Sequence, residues 1–238
     1  MFPSQQNPPL LGEKRNRLAV TLLNEENPNR IEGSKQGERA SLALELPIES
    51  LANFVRVVVL QHPQEPDKEL GSAALLVRGL EQAELKVGLS WRNLKAAVGE
   101  DAQPAEWVVL YLGAKGNIFP EEVNFATTKG IPTPPVPGVR GLIVLDGTWT
   151  QAKALWWRNA WLTKLKRIVL NPQAPSRYGR LRREPRKEAV STLEAAALAL
   201  GRLDPKGGKI RPHLEDAFQR MLDEYVRRKR AAMGSLKL

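Results

Sequence analysis

Asp146 ends an apolar run, Gly141-Leu142-Ile143-Val144-Leu145, and is followed by Gly147, Thr148 and Trp149. A carboxylate at the end of a buried strand can accept a proton or orient a nucleophile, and partial burial raises its proton affinity. Asp is also a favoured cap residue, so on residue type alone capping the next helix is the favoured reading. Gly147 lets the backbone approach a ligand closely or simply permits a tight turn. Thr148 and Gln151 stand at capping-box spacing, which satisfies two orphan donors of a helix opening there. A carboxylate, a glycine and a helix amino terminus thus meet at the carboxyl end of a strand, where open α/β sheets bind their ligands.

Ser191-Thr192-Leu193-Glu194-Ala195-Ala196 repeats the capping-box spacing ahead of an apolar helix. The box stabilises a helix whatever else it does, and the helix terminus it opens can also receive a carboxylate or phosphate. Between them lies a basic loop. Arg177, Arg180, Arg182, Arg183, Arg186 and Lys187 put six positive charges into eleven residues. Arginine forks suit phosphate oxygens, and Tyr178 offers a ring face for base stacking; a solvated loop balanced by Glu184 and Glu188 is the plainer reading. Arg227-Arg228-Lys229-Arg230 is a weaker cluster, because helix carboxyl termini favour cations anyway. His62, in Gln61-His62-Pro63, is read only as lining a pocket.

The charge is lopsided. Residues 1–120 hold 13 Lys+Arg against 15 Asp+Glu, whereas residues 121–238 hold 23 against 11, within a chain of net charge +10. A neutral half joined to a strongly basic one points to a polyanion, most simply nucleic acid. With no cysteine there is no disulfide framework and no thiolate zinc site. No apolar run reaches the roughly 18 residues of a membrane span, and Met1-Phe2-Pro3-Ser4-Gln5-Gln6 lacks the features of a signal peptide. A cytoplasmic protein with no membrane association and no obligatory protein partner is expected.

The elements that must position these residues alternate between strands and helices, which argues for an α/β sheet domain. Residues 1–50 read as a leader or accessory segment: polar and proline-containing to residue 17, a short strand at Leu18–Leu23, then a charged loop from Asn24 to Arg39. Buried strands are predicted at Phe54–Leu60, Trp107–Leu112 (closed by Gly113), Gly141–Leu145 and Arg167–Leu170, the last in the chain. Shorter strands are predicted at Ala73–Val77 and Leu85–Leu89. A short helix opens at Ser90-Trp91-Arg92-Asn93 and ends near Gly99. Proline-dense Ile131–Pro137 reads as an extended linker into the central strand. A helix from Thr150 to about Leu162 carries Trp156 and Trp157 at a spacing that cannot bury both, so one is core. The Ser191 helix is almost apolar all round and should be buried. Pro212 suits the first turn of a final helix with Leu214, Phe218, Met221, Leu222 and Tyr225 on one face.

Several of these motifs, in this order, resemble the DTW-domain tRNA-uridine aminocarboxypropyltransferases: Asp146-Gly147-Thr148-Trp149 with Gln151-Ala152-Lys153, the Ser-Arg-Tyr-Gly-Arg-Leu-Arg loop, and Ser191-Thr192-Leu193-Glu194-Ala195-Ala196. Leu60-Gln61-His62-Pro63-Gln64-Glu65 and Leu110-Tyr111-Leu112 join them, so the resemblance runs from about residue 54 to 226. It implies a catalytic domain over residues 51–238 with a SPOUT-like sheet, helices on both faces and a trefoil knot. It implies transfer of the 3-amino-3-carboxypropyl group of S-adenosylmethionine to N3 of a tRNA uridine, with methylthioadenosine leaving and the sulfonium activating that departure without a metal. Asp146 then takes the N3 proton. Leu112, Gly113, Leu145, Gly147, Thr148, Trp149, Ser191, Thr192 and Glu194 are implied around the cofactor. Lys153, Arg177, Tyr178, Arg180, Arg182 and Arg183 are implied on tRNA. Trp149 and Gly147 keep their packing and turn readings beside these. The family's amino-terminal zinc cysteines are missing here. A knotted methyltransferase using the same donor, or a non-catalytic RNA-binding module, are the alternatives.

Overall fold

A computed structural model describes residues 42–65, 69–111, 120–181 and 189–235. Residues 1–41 of the expected leader segment, with the strand at Leu18–Leu23 and the loop at 24–39, lie outside the described residues. The first described element, helix α1 (Leu42–Glu45), already belongs to the core, with Leu42 and Ala43 buried.

Seven strands form one sheet: β1 (Arg56–Gln61), β2 (Ala83–Val87), β3 (Trp107–Tyr111), β4 (Val123–Ala126), β5 (Pro132–Thr133), β6 (Gly141–Asp146) and β7 (Lys166–Leu170). Their order is β2-β1-β6-β3-β7-β4-β5. The first five in that order are mutually parallel, and β4 and β5 extend one edge antiparallel. Parallel strands covered on both faces read as continuous apolar runs, which is why β1 and β6 are the plainest strands in the sequence.

Side chains alternate between two cores. Val57, Val59, Val108, Leu142 and Val144 join one with helices α2 (Ala73–Arg78), α5 (Thr192–Leu203) and α6 (Gly207–Ser235). Val58, Leu60, Val109, Ile143 and Leu145 join the other with α3 (Leu94–Val98), α4 (Trp149–Arg158) and the 3-10 turn at Ala160–Lys164. Helix α5 touches several strands on one side and α6 on the other, so Leu193 to Leu200 are all buried. Its sequence, apolar there apart from Glu194, follows from that position. The apolar stripe of α6 is buried as predicted, from Leu214 through Phe218, Met221 and Leu222 to Tyr225.

Four sequence expectations are corrected. Ala73–Val77 is helical, not extended: the run of Ala and Leu has good helix propensity and is too short for periodicity to separate the two states. The linker at Ile131–Pro137 contains β5, an edge strand where a proline costs no ladder bond, and its partner β4 is a strand the sequence reading lacked. Helix α4 stops at Arg158 because buried Asn159 ends it, donating to Leu155 O at 2.8 Å and accepting from Trp91 N at 2.7 Å. Helix α6 begins at Gly207, five residues before Pro212, which lies inside it. Asp204 supports that earlier start: its carboxylate accepts from Lys206 N at 2.8 Å, and from Phe54 N and Val55 N at 2.7 and 2.8 Å. That single side chain ties the α5–α6 turn to the entry of β1.

Candidate active site

Strands β1 and β6 pair in parallel, with Gln61 opposite Asp146 at their carboxyl ends. The register brings an amide against a carboxylate. Gln61 Nε2 donates to Asp146 Oδ2 at 2.7 Å, and the Thr192 hydroxyl, on the first residue of α5, donates to Asp146 Oδ1. Asp146 is 8% exposed and Gln61 4%. A buried carboxylate needs such partners. The capping role favoured on residue type alone is corrected: the N-cap of α4 is Thr148, and Asp146 is not a cap.

Local sequence builds the turn after Asp146. Gly147 adopts φ +153°, and a Cβ there would stand 2.8 Å from Gln151 Cβ, so the turn requires glycine on two counts. Thr148 N donates to Gln151 Oε1 at 2.7 Å and to Glu65 Oε1 at 3.2 Å, while Gln151 N donates to Thr148 Oγ1 at 3.4 Å. The predicted capping box is present. On the β1 side, His62 N donates to Asp146 O at 3.0 Å, and the His62 side chain lies beside Gly147. The turn 61–65 therefore folds against the turn 146–148.

The second capping box is present too, and Glu194 does more than close it. Its carboxylate accepts from Ser191 N at 2.8 Å, Ser176 Oγ at 2.7 Å and Arg177 N at 2.7 Å. Glu194 therefore faces the start of the basic loop, and Ser191 spends its hydroxyl on the cap. Of this motif, Thr192 reaches Asp146. Leu145 is buried in the core under α4, and Trp149 is half-buried at the first position of that helix. Leu112 and Gly113 lie outside the described residues.

The expected RNA residues separate. Lys153 and Arg180 are exposed. Arg177 is exposed and pairs with Glu215 of α6 at 3.1 Å. Tyr178 corrects its expectation: it is 1% exposed, its hydroxyl donates to Leu70 O at 2.6 Å, and its ring meets Phe218 edge-on at 5.0 Å. A ring so enclosed is a core residue that anchors the loop and offers no face to a base. Arg182 and Arg183 lie outside the described residues. In the tryptophan pair, Trp156 is core, 4.9 Å from Tyr111, and Trp157 is 76% exposed. Arg227 and Arg228 clasp Glu224 at 2.6 and 2.7 Å, which holds its carboxyl at about 2, below the usual 4.5.

Sequence reading passed over Gln61 and Glu65 as site residues. The signal for Gln61 was its place as the polar end of an apolar strand, matching Asp146 on β6; what hid it was the sheet register, which one strand's sequence does not carry. Among the described residues, no three His, Asp or Glu side chains gather as metal ligands, and no helix is long and apolar enough to cross a membrane.

Comparison with known proteins bears on this site. A tRNA-uridine aminocarboxypropyltransferase 2 of Macaca fascicularis is 29% identical over 162 residues, 67% of this chain and 51% of that protein. The Drosophila melanogaster protein of the same name is 30% identical over 183 residues, 76% of this chain and 66% of its own length. tRNA-uridine aminocarboxypropyltransferase A of Arabidopsis thaliana is 25% identical over 197 residues, covering 74% and 73%. The chain spans about half the length of the two mammalian relatives it matches. No solved structure matches it. The DTW domain profile matches residues 42–226, a span that includes both capping boxes and the Gln61–Asp146–Thr192 cluster, and the chain belongs to the DTW domain family.

Proposed function

We propose that this protein transfers the 3-amino-3-carboxypropyl group of S-adenosylmethionine to N3 of a tRNA uridine, releasing 5'-methylthioadenosine. The observation that carries the reading is the Asp146 carboxylate, buried at the carboxyl end of a central parallel strand and oriented by Gln61 and Thr192 in a DTW-family chain. The relatives named for this reaction support the substrate pair.

The site suits such a donor on one specific count. Gln61 Oε1 is buried and has no hydrogen-bond partner among the described residues, because the amide spends its N–H on Asp146. An unpaired buried acceptor is costly, and an ammonium, hydroxyl or imide N–H of a bound substrate would satisfy it. The first turns of α4 and α5 flank the same carboxylate, and helix amino termini favour the donor's own carboxylate.

When bound, the donor supplies a sulfonium whose adjacent γ-carbon is electrophilic. Asp146 accepts the N3 proton of the uridine, and the N3 lone pair forms the bond to that carbon as the carbon–sulfur pair returns to sulfur. Gln61 and Thr192 fix the carboxylate's rotation and so orient it for the proton transfer. Gly147, Thr148 and Trp149 wall the donor; Ser191 and Glu194 act by holding the first turn of α5 in place. Lys153, Arg180 and the basic loop contribute phosphate contacts to tRNA.

The test uses Asp146→Asn, which preserves size and packing. The reading expects retained S-adenosylmethionine binding by calorimetry, an unchanged melting temperature to within a few degrees, and loss of transfer by about 100-fold or more. Full turnover in the folded variant would remove Asp146 from the chemistry. The same reading includes a SPOUT-like trefoil knot, which the parallel core with helices on both faces supports. Stretching the denatured chain from its ends should then leave it short of the contour length of 238 residues, and full extension would argue for an open topology.

A further inference from the structure

Trp157 has no place in the chemistry above, yet it stands 76% exposed on α4, the helix that opens directly after the Asp146 turn. An isolated exposed apolar residue is ordinary. Three observations make this one different. Lys153 lies four residues earlier and is exposed, so the two share one ridge of the helix. Helical side chains lean toward the amino terminus, which tilts the indole back over the turn holding Lys153 and toward the catalytic end. From Gly147 to Arg183 the sequence contains no acidic residue and nine basic ones.

An indole beside a lysine in an acid-free stretch fits a polyanion that also presents flat apolar faces. Unpaired nucleotides combine those two properties, and base stacking on an aromatic ring is tolerant of sequence. The helix rises about 1.5 Å per residue, so Trp157 lies about 13 Å along the axis from the Thr148 cap, within reach of the nucleotides flanking a uridine at Asp146. We infer that the outer ridge of α4 is a tRNA contact surface, on which Trp157 stacks an unpaired base near the target uridine while Lys153 meets the adjoining phosphate. The inference rests on the proposed tRNA substrate and adds to it the element that grips the flanking strand.

The experiment measures dissociation constants for bulk unmodified tRNA at several salt concentrations, with wild-type protein, Trp157→Ala, Trp157→Phe and Lys153→Ala. Stacking and charge separate in the salt dependence. Trp157→Ala should weaken binding on the order of ten-fold with the slope of log affinity against log salt unchanged. Trp157→Phe should retain most of the affinity. Lys153→Ala should lower the slope by roughly one. Melting temperature and S-adenosylmethionine binding should stay at wild-type values, since the side chain is outside the core. Wild-type affinity in Trp157→Ala would overturn the inference, as would a change in oligomeric state, which would make a second copy the occupant. Failure of the substrate reading would appear instead in the wild-type protein, as no tRNA binding at all, and would take this inference with it.

Discussion

At the scale of single residues, the account turns on how Asp146 is held. Both its oxygens accept hydrogen bonds from side chains on other elements, Gln61 on β1 and Thr192 on α5. Gln61→Met keeps the volume and removes the donor, so the carboxylate gains rotational freedom. A bond to a charged group is worth about 1.5–3 kcal/mol, so the rate should fall by roughly 10- to 100-fold while S-adenosylmethionine binding changes less. Steady-state kinetics of the folded variant would decide it; an unchanged kcat would mean that Asp146 needs no help from Gln61. Gly147 is a second point of sensitivity. Any Cβ there meets Gln151, so Gly147→Ala should lower stability by about 1–3 kcal/mol in urea denaturation and distort the turn that carries Thr148.

At the scale of elements, two capped helices carry the site. Glu194 gathers three donors, so its loss should exceed that of an ordinary cap. Glu194→Ala is expected to cost about 3 kcal/mol or more, against about 1 kcal/mol for Thr148→Ala, both read from urea midpoints. Both boxes were legible from the sequence because a cap is a local, three-residue relation. Strands β1, β3 and β6 were legible because buried parallel strands read as nearly continuous apolar runs, and β7 from its shorter run Ile168–Leu170. What stayed hidden depended on distance. Ala73–Arg78 aside, which was too short for periodicity to separate helix from strand, β4 came from pairing with β7 and the role of Gln61 from the β1–β6 register. Tyr178 was misread because its loop is charged while its ring is buried through contacts with Leu70 and Phe218, distant in sequence.

The outer face of α6 also shows what a cationic cluster is worth. Arg227 and Arg228 are turned onto Glu224, and Arg228 also onto Glu45, so part of Arg227–Arg230 is spent within the fold. Glu224 has its pKa lowered from 4.5 to about 2 by these arginines. A depressed carboxylate stabilises the fold above its unfolded pKa, and that contribution is lost as pH falls from about 4.5 toward 2. The group is exposed, so the effect is small. Glu224→Gln should lower the melting temperature slightly near neutral pH, and the difference should vanish at the acid end of that window.

At the scale of the whole molecule, charge is segregated along the chain, with an excess of 12 positive charges in residues 121–238. The acid-free stretch from Gly147 to Arg183 begins directly after the candidate catalytic carboxylate in sequence. Affinity for tRNA should fall steeply with salt, with log affinity linear in log salt and each phosphate contact contributing a slope of about 0.7–0.9. The decisive measurement joins this surface to its reaction: mass spectrometry of tRNA and of small products after incubation of the protein with S-adenosylmethionine. The account predicts a uridine carrying one added aminocarboxypropyl group, with methylthioadenosine released in equal amount. A methylated nucleotide with S-adenosylhomocysteine, or unmodified tRNA despite bound donor, would contradict it.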